Sequence, residues 1–158
     1  MKIFIVRHAS AVERFSWNGD DTDRPLDDEG SNQSLMIAKY FSDTEISSIF
    51  CSAAVRCQQT IWPTAHQFGI QIELSNSLSE GSTSQTSDLV EKLVQAEISD
   101  ASPILCSHGD VISELIRSLT LKGMSTPKRK GFAKASVWEL SFSNGTIESG
   151  LYHDSHLR

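Results

Sequence analysis

The feature that most constrains this chain is a short apolar run, Ile3-Phe4-Ile5-Val6, that stops at Arg7-His8. Apolar residues without alternation leave no face for water. Such a strand is buried on both sides, as happens inside a parallel sheet. A parallel sheet needs crossover helices, and the chain supplies them. A polar loop over 9–24 carries Asn18-Gly19, Asp20, Asp21 and Asp23, and long loops in compact domains are often functional. Beyond Pro25 a helix is predicted over 28–42, with Ile37, Tyr40 and Phe41 at helical spacing. Then come a strand at Ile46–Cys51, a helix over Ala53–Phe68 stopped by Gly69, and a strand at Ile70–Leu74. Pro63 is expected to kink or split that helix near Trp62. A polar loop over 75–87, a helix over Asp88–Glu97, a strand at Ile104–Ser107 and a helix over 110–121 follow. Alternating residues 135–142, a Ser143-Asn144-Gly145 turn and a run over 146–152 read as a hairpin, and residues 153–158 as a fraying end. The fold class is α/β: a three-layer α/β/α arrangement with a mostly parallel central sheet and a C-terminal antiparallel hairpin.

The 158 residues fit a single domain, 1–158, large enough to keep a core without disulfide or metal. A net charge of -6 argues against nucleic acid and anionic membrane as partners. The basic residues Lys122, Lys128, Arg129, Lys130 and Lys134 read as a solvated loop before they read as a patch. Cys51, Cys57 and Cys106 are odd in number and widely spaced, so they form no disulfide framework and no metal pair. They read as small buried apolar residues of a cytoplasmic protein. No metal-ligand pattern and no cofactor motif is present.

The reactive residues gather at strand ends. The first strand ends in Arg7-His8-Ala9-Ser10, the second runs through Cys51-Ser52 toward Arg56, and the fourth ends in Ser107-His108-Gly109. Ligands of open α/β sheets bind outside the carboxyl ends of the strands. If these strands are parallel, two imidazoles and two guanidiniums share one rim. Such a cluster repels itself unless it holds a polyanion, and a tetrahedral phosphoryl group matches the arginine forks.

These residues also resemble the histidine phosphatase superfamily, which includes the phosphoglycerate mutases. Its Arg-His-Gly signature stands here as Arg7-His8-Ala9. Its Arg-Pro-Leu-x-x-x-Gly segment stands as Arg24-Pro25-Leu26 through Gly30. The pattern Ser-x-x-x-Arg-x-x-Gln-Thr runs from Ser52 through Arg56 to Gln59-Thr60. The late Ser-His-Gly is Ser107-His108-Gly109, and the Leu-x-Glu that carries the family's acid is Leu78-Ser79-Glu80. The resemblance spans Lys2 to about Leu140.

The resemblance implies a metal-independent phosphatase in which His8 is the nucleophile and forms a phosphohistidine. Arg7 and Arg56 would clamp the phosphoryl oxygens. His108 and the backbone N–H of Gly109 would donate to them, with Ser10 either adding a hydroxyl or standing as a plain loop serine. Glu80 would be the general acid, needing partial burial beside the phosphate, with Asp20, Asp21 and Asp23 as fallback acids. Trp17 is read as rim or as a cover over substrate.

Two departures point away from a mutase. Ser10 stands where mutases carry Glu, and only 27 residues separate Glu80 from His108, too few for the mutases' closing insertion. The short open site resembles SixA-type phosphohistidine phosphatases, which act on a phosphorylated protein. The acidic loop and the Lys130–Leu140 ending also resemble the phosphatase domain fused to MutT-type Nudix hydrolases, which would imply a small phosphorylated metabolite such as a nucleotide. Phosphohistidine protein is the first reading, small-molecule or nucleotide phosphomonoester the second, and a non-catalytic phosphate-binding module the third.

Overall fold

The computed structural model describes residues 1–96 and 101–156. Six strands form one sheet in the order β3-β2-β4-β1-β5-β6. They are β1 (Lys2–Arg7), β2 (Ile46–Cys51), β3 (Ile72–Leu74), β4 (Ser102–Ser107), β5 (Val137–Ser143) and β6 (Thr146–His153). The first four run parallel, and β5 and β6 add an antiparallel pair beside β1. The helices are α1 (Asp28–Tyr40), α2 (Val55–Phe68), α3 (Thr83–Ala96) and α4 (Gly109–Leu121).

The β1 run is buried on both faces, as its lack of alternation requires. Phe4 and Val6 point to one core, with Ile37 of α1, Phe41 at its C-cap, and Cys57, Ile61 and Ala65 of α2. Ile3 and Ile5 point to the other, with Val90 and Val94 of α3 and Ile112, Leu115 and Ile116 of α4. Three layers result, α1/α2, sheet, and α3/α4. Among the described residues no helix is long and apolar enough to cross a membrane.

Several boundaries differ from the sequence expectation. Helix α2 runs unbroken through Pro63. Its buried face, Ile61, Thr64 and Ala65 among others, brackets the proline, so packing outweighs the lost backbone hydrogen bond. Gly69 ends it at φ 64°, and the Ile70 N–H closes back on Ala65 O at 3.0 Å. Ile70 therefore belongs to the helix cap, and β3 starts at Ile72. Helix α3 begins at Thr83, inside the segment expected to be a loop. The first residue of its buried stripe is Thr86, whose hydroxyl is satisfied by Ser77 O and Ser82 O, so the stripe looks polar in sequence. Its expected end, Glu97, lies outside the described residues, as do Leu157 and Arg158 of the expected fraying end. Pro103 lies within β4, where the pairing with β2 shifts register. The C-terminal hairpin turns at Asn144 and Gly145, both at positive φ, in the two-residue form that suits strand twist.

The register decides where the chemistry lies. Arg7 pairs with Ser107, and Cys51 and Val6 both pair with Cys106. The residues that follow, His8, Ser52 and His108, leave the sheet at one level on its carboxyl edge.

Candidate active site

At that edge lies a cavity of about 280 Å³, lined in part by Arg7, His8, Arg56, Glu80, His108 and Gly109. The two imidazole rings face each other edge to face, centroids 5.4 Å apart. Of the residues expected to bind or transfer the phosphoryl group, Arg7, His8, Arg56, Glu80, His108 and Gly109 line it and Ser10 does not. Its hydroxyl donates to Asp27 Oδ2 at 2.7 Å and its N–H to Gln33 Oε1 at 2.9 Å. Ser10 instead helps seat α1, where Gly30 packs so closely that an added Cβ would lie 1.8 Å from Ser10 O.

His8 is held by its backbone on both sides. Its N–H donates to Ser107 O at 3.0 Å, and its carbonyl accepts from Ala135 N at 3.1 Å. Its ring Nδ1 lies 2.9 Å from Ala9 O. A carbonyl only accepts, so the proton of the neutral ring sits on Nδ1, and Nε2 keeps its lone pair. Burial pulls the His8 pKa down to about 3, and Coulomb repulsion from His108 in its protonated form and from Arg56 and Arg7 adds to the shift against the Ala9 hydrogen bond. The ring is neutral at ordinary pH. Ala9 has its methyl in the core, and its N–H donates to Thr60 Oγ1 at 2.8 Å. The Thr60 hydroxyl donates in turn to Arg56 O at 2.6 Å, tying the loop that follows His8 to α2.

The two arginines are equally constrained. Arg7 donates through Nη1 to Phe132 O and lies flat on Gly109, where an added Cβ would come within 2.8 Å of its Cζ. Burial lowers its pKa, with Asp110 opposing. Arg56 is only 2% exposed, donating to Asp21 O at 2.8 Å and pairing with Asp21 Oδ2 at 3.2 Å. Its Nη2 lies 3.4 Å from His108 Nδ1, while His108 Nε2 lies 2.9 Å from Ser52 Oγ. An arginine can only donate, so the neutral His108 ring carries its proton on Nε2, toward Ser52. The Nε atoms of Arg7 and Arg56 are buried with no acceptor among the described residues.

Glu80 reaches the same cavity from the loop before α3. Its carboxylate lies 3.5 Å from both Arg14 and Arg56, and its side chain is 49% exposed, more open than the partial burial expected of it. The loop is pinned by β4 and α4. Ser107 Oγ donates to Leu78 O at 2.7 Å, and Gly81 N–H donates to Asp110 Oδ2 at 3.0 Å. Asp20 and Asp23 do not line the cavity. Asp21 instead serves the arginines. Burial alone would raise its pKa, but the Arg24 hydrogen bond and the charges of Arg56, Arg24 and Arg14 hold it below the ordinary value.

Sequence reasoning missed part of the rim. Arg14, Arg24 and Lys134 line the cavity beside Glu13, Glu80 and Asp110. Lys134, grouped in sequence with a solvated basic loop, sits half-buried in the site. Arg24 opens the Arg-Pro-Leu segment, which could have flagged it; its Nε pairs with Asp21 at 3.0 Å and its Nη1 donates to Val12 O at 2.7 Å. Trp17 does not line the cavity; its Nε1 donates to Asp20 O at 2.9 Å. The three cysteines are free and buried, and Cys57 Sγ lies 3.6 Å from His108 Nε2. Among the described residues no three His, Cys, Asp or Glu side chains are grouped to hold a metal ion.

Comparison with known proteins bears on the family and the fold. Residues 3–101 match the histidine phosphatase superfamily (branch 1). A curated relative from Mycolicibacterium smegmatis, an 8-oxo-(d)GTP phosphatase, is 29% identical over 95% of this chain. The chain spans about half that relative's length, 47%. Among solved structures, the protein histidine phosphatase SixA complexed with tungstate aligns with a TM-score of 0.76 at 21% identity, covering 98% of this chain and 95% of that one. A mycobacterial glucosyl-3-phosphoglycerate phosphatase with VO3 aligns at 0.75 and 17% identity, covering 96% of each. The chain belongs to the histidine phosphatase superfamily, branch 1, a family of phosphatases.

Proposed function

We propose that this chain hydrolyses phosphorylated substrates through a covalent phosphohistidine on His8. The observation that carries the reading is the pair of facing imidazoles, 5.4 Å apart, with the buried Arg56 and half-buried Arg7 guanidiniums around one cavity. His8 Nε2, unprotonated and fixed in direction, attacks phosphorus while the bond from phosphorus to the leaving group breaks. Arg7, Arg56 and the first N–H groups of α4 at Gly109 balance the charge on the three phosphoryl oxygens. His108 donates from the facing side as an imidazolium, because the neutral ring gives its one N–H to Ser52. Glu80 gives a proton to a leaving group that needs one, then takes a proton from the water that attacks the phosphohistidine. Phosphate leaves and the electron pair returns to His8 Nε2. No step is assigned to a metal.

Two substrate classes fit this chemistry. A phosphohistidine protein is supported by the shared fold with SixA. A small phosphorylated metabolite, a nucleotide among them, is supported by the relative that acts on 8-oxo-(d)GTP and by the cations beyond Arg7 and Arg56. The test is to quench the protein during turnover and look for a phosphoryl group that is stable to alkali and lost in acid. His8→Ala should remove it and cut turnover by more than about 10⁴-fold. A phosphoenzyme that survives His8→Ala would reject the nucleophile, and no turnover of any phosphate would favour a binding module. Phosphohistidine protein, nucleotide and sugar phosphate tried side by side would rank the substrates.

A further inference from the structure

Resting on the His8 reading, we propose that the substrate's reactive phosphoryl group is joined through a phosphoanhydride, with the next phosphate seated on Lys134 and Arg14. Five cations line the cavity, and three are committed. Arg7 is fixed by Phe132 O and Gly109, and Arg56 by Asp21, both around the place of the reacting phosphoryl. Arg24 is used up by Asp21 and Val12 O. Arg14 and Lys134 remain. Lys134 lines the cavity and has no carboxylate within ion-pair distance among the described residues, only the more distant charge of Asp27. Arg14 is 62% exposed and touches Asp21 at 3.3 Å and Glu80 at 3.5 Å, loose pairs that a better anion can displace.

The backbone holds Lys134 at a set offset from the nucleophile. The next residue, Ala135, is buried at φ 62°, a conformation that disfavours a side chain, and its N–H is bonded to His8 O at 3.1 Å. Strain of this kind persists only where its surroundings enforce it. Here it places a lysine beside the catalytic histidine.

The leaving group decides between substrates. A protein phosphohistidine releases an imidazole, which brings no negative charge to a cationic rim. A phosphoanhydride releases a phosphate, whose new charge falls on Lys134 and Arg14 and which needs no proton to depart. That suits a carboxyl as exposed as Glu80. In the step, His8 Nε2 bonds to the terminal phosphorus, the bond from that phosphorus to the bridging oxygen breaks, and the oxygen keeps the electron pair. Water then cleaves the phosphohistidine, giving inorganic phosphate and restoring the imidazole. Phe15, next to Arg14 in the same turn but outside the cavity lining, is 99% exposed and free to meet a base if the diphosphate is a nucleoside's.

The experiment compares kcat/KM for GDP, inorganic pyrophosphate and p-nitrophenyl phosphate with the full chain. Lys134→Gln and Arg14→Gln should each lower the diphosphate-to-monoester ratio about tenfold, with Lys134→Arg recovering most of it. Phe15→Ala raising KM for GDP alone assigns a nucleoside diphosphate; no difference between GDP and pyrophosphate assigns the bare anhydride. Equal losses on diphosphate and monoester in variants that melt like the parent overturn the proposal. So does a parent that turns over the monoester in a His8-dependent way but neither diphosphate, and that result leaves the phosphohistidine chemistry standing. Failure on every phosphate would instead remove the His8 reading itself.

Discussion

The floor and the rim of the cavity are built differently. The floor consists of Arg7, His8, Arg56 and His108, which sit at strand ends and helix starts and are held by main-chain bonds on neighbouring strands. The rim consists of Arg14, on a single 3-10 turn, and Glu80 and Lys134, on loops. His8, Arg56 and His108 of the floor pack to a few percent exposure and Arg7 is half-buried, whereas the Glu80 and Arg14 side chains are about half open or more. The floor has the rigidity needed to meet one invariant group, the phosphoryl. The rim has the freedom needed to meet whatever carries it. Changes in the floor should therefore cost the same on every substrate, and changes in the rim should depend on the substrate.

The sharpest break of that contrast is Gly109→Ala. The new methyl would lie 2.8 Å from Arg7 Cζ, and the guanidinium cannot swing aside without leaving Phe132 O. A displacement near 1 Å of a clamping group costs about 10²-fold in kcat. The loss should be the same for nitrophenyl, alkyl and nucleotide phosphates, with little change in melting temperature. A loss confined to one substrate would move Arg7 from floor to rim.

Glu80→Gln tests the other side. As proton donor it should matter only where the leaving group needs a proton, so alkyl phosphates should slow by about 10² and nitrophenyl phosphate by less than about tenfold. Equal losses on both would remove Glu80 as the acid and leave it as a partner for Arg14 and Arg56.

The same contrast explains what could be read from sequence. The floor was legible because unalternating Ile3–Val6 forces a central strand, and parallel register then brings His8, Ser52 and His108 to one edge. Short-range order carried that argument. The rim was not legible. Lys134 looked like one more charge in a basic loop, because the reversal at Ala135 that aims it is a tertiary effect on a residue with no turn signature. Ser10 looked like a phosphate ligand by adjacency, yet the close approach of Gly30 turns it to Asp27. Thr86 hid the start of α3 because its hydroxyl is satisfied inside the core.

The smallest expected effect separates the floor's two duties, catalysis and stability. The folded chain keeps His8 neutral down to about pH 3, whereas an unfolded imidazole titrates at 6.5. Above 6.5 neither state holds the proton and His8 adds nothing to the pH dependence. Between these values the unfolded chain binds a proton that the folded chain refuses, so stability is lost as pH falls through this window. The loss is at most about 1.4 kcal/mol per pH unit, or a few degrees of melting temperature for a chain of this size. Burial is the main cause of the shift, so the slope should be smaller in His8→Asn, which cannot titrate and fits the same space. The remainder comes from carboxylates such as Asp21 and Asp27, which folding holds below their ordinary pKa. Melting curves of parent and variant from pH 7 to 4 would show it. Parallel curves would mean that His8 is protonated in the folded protein well above pH 3, and then the free lone pair on Nε2 at neutral pH would rest on the substrate and not on the fold.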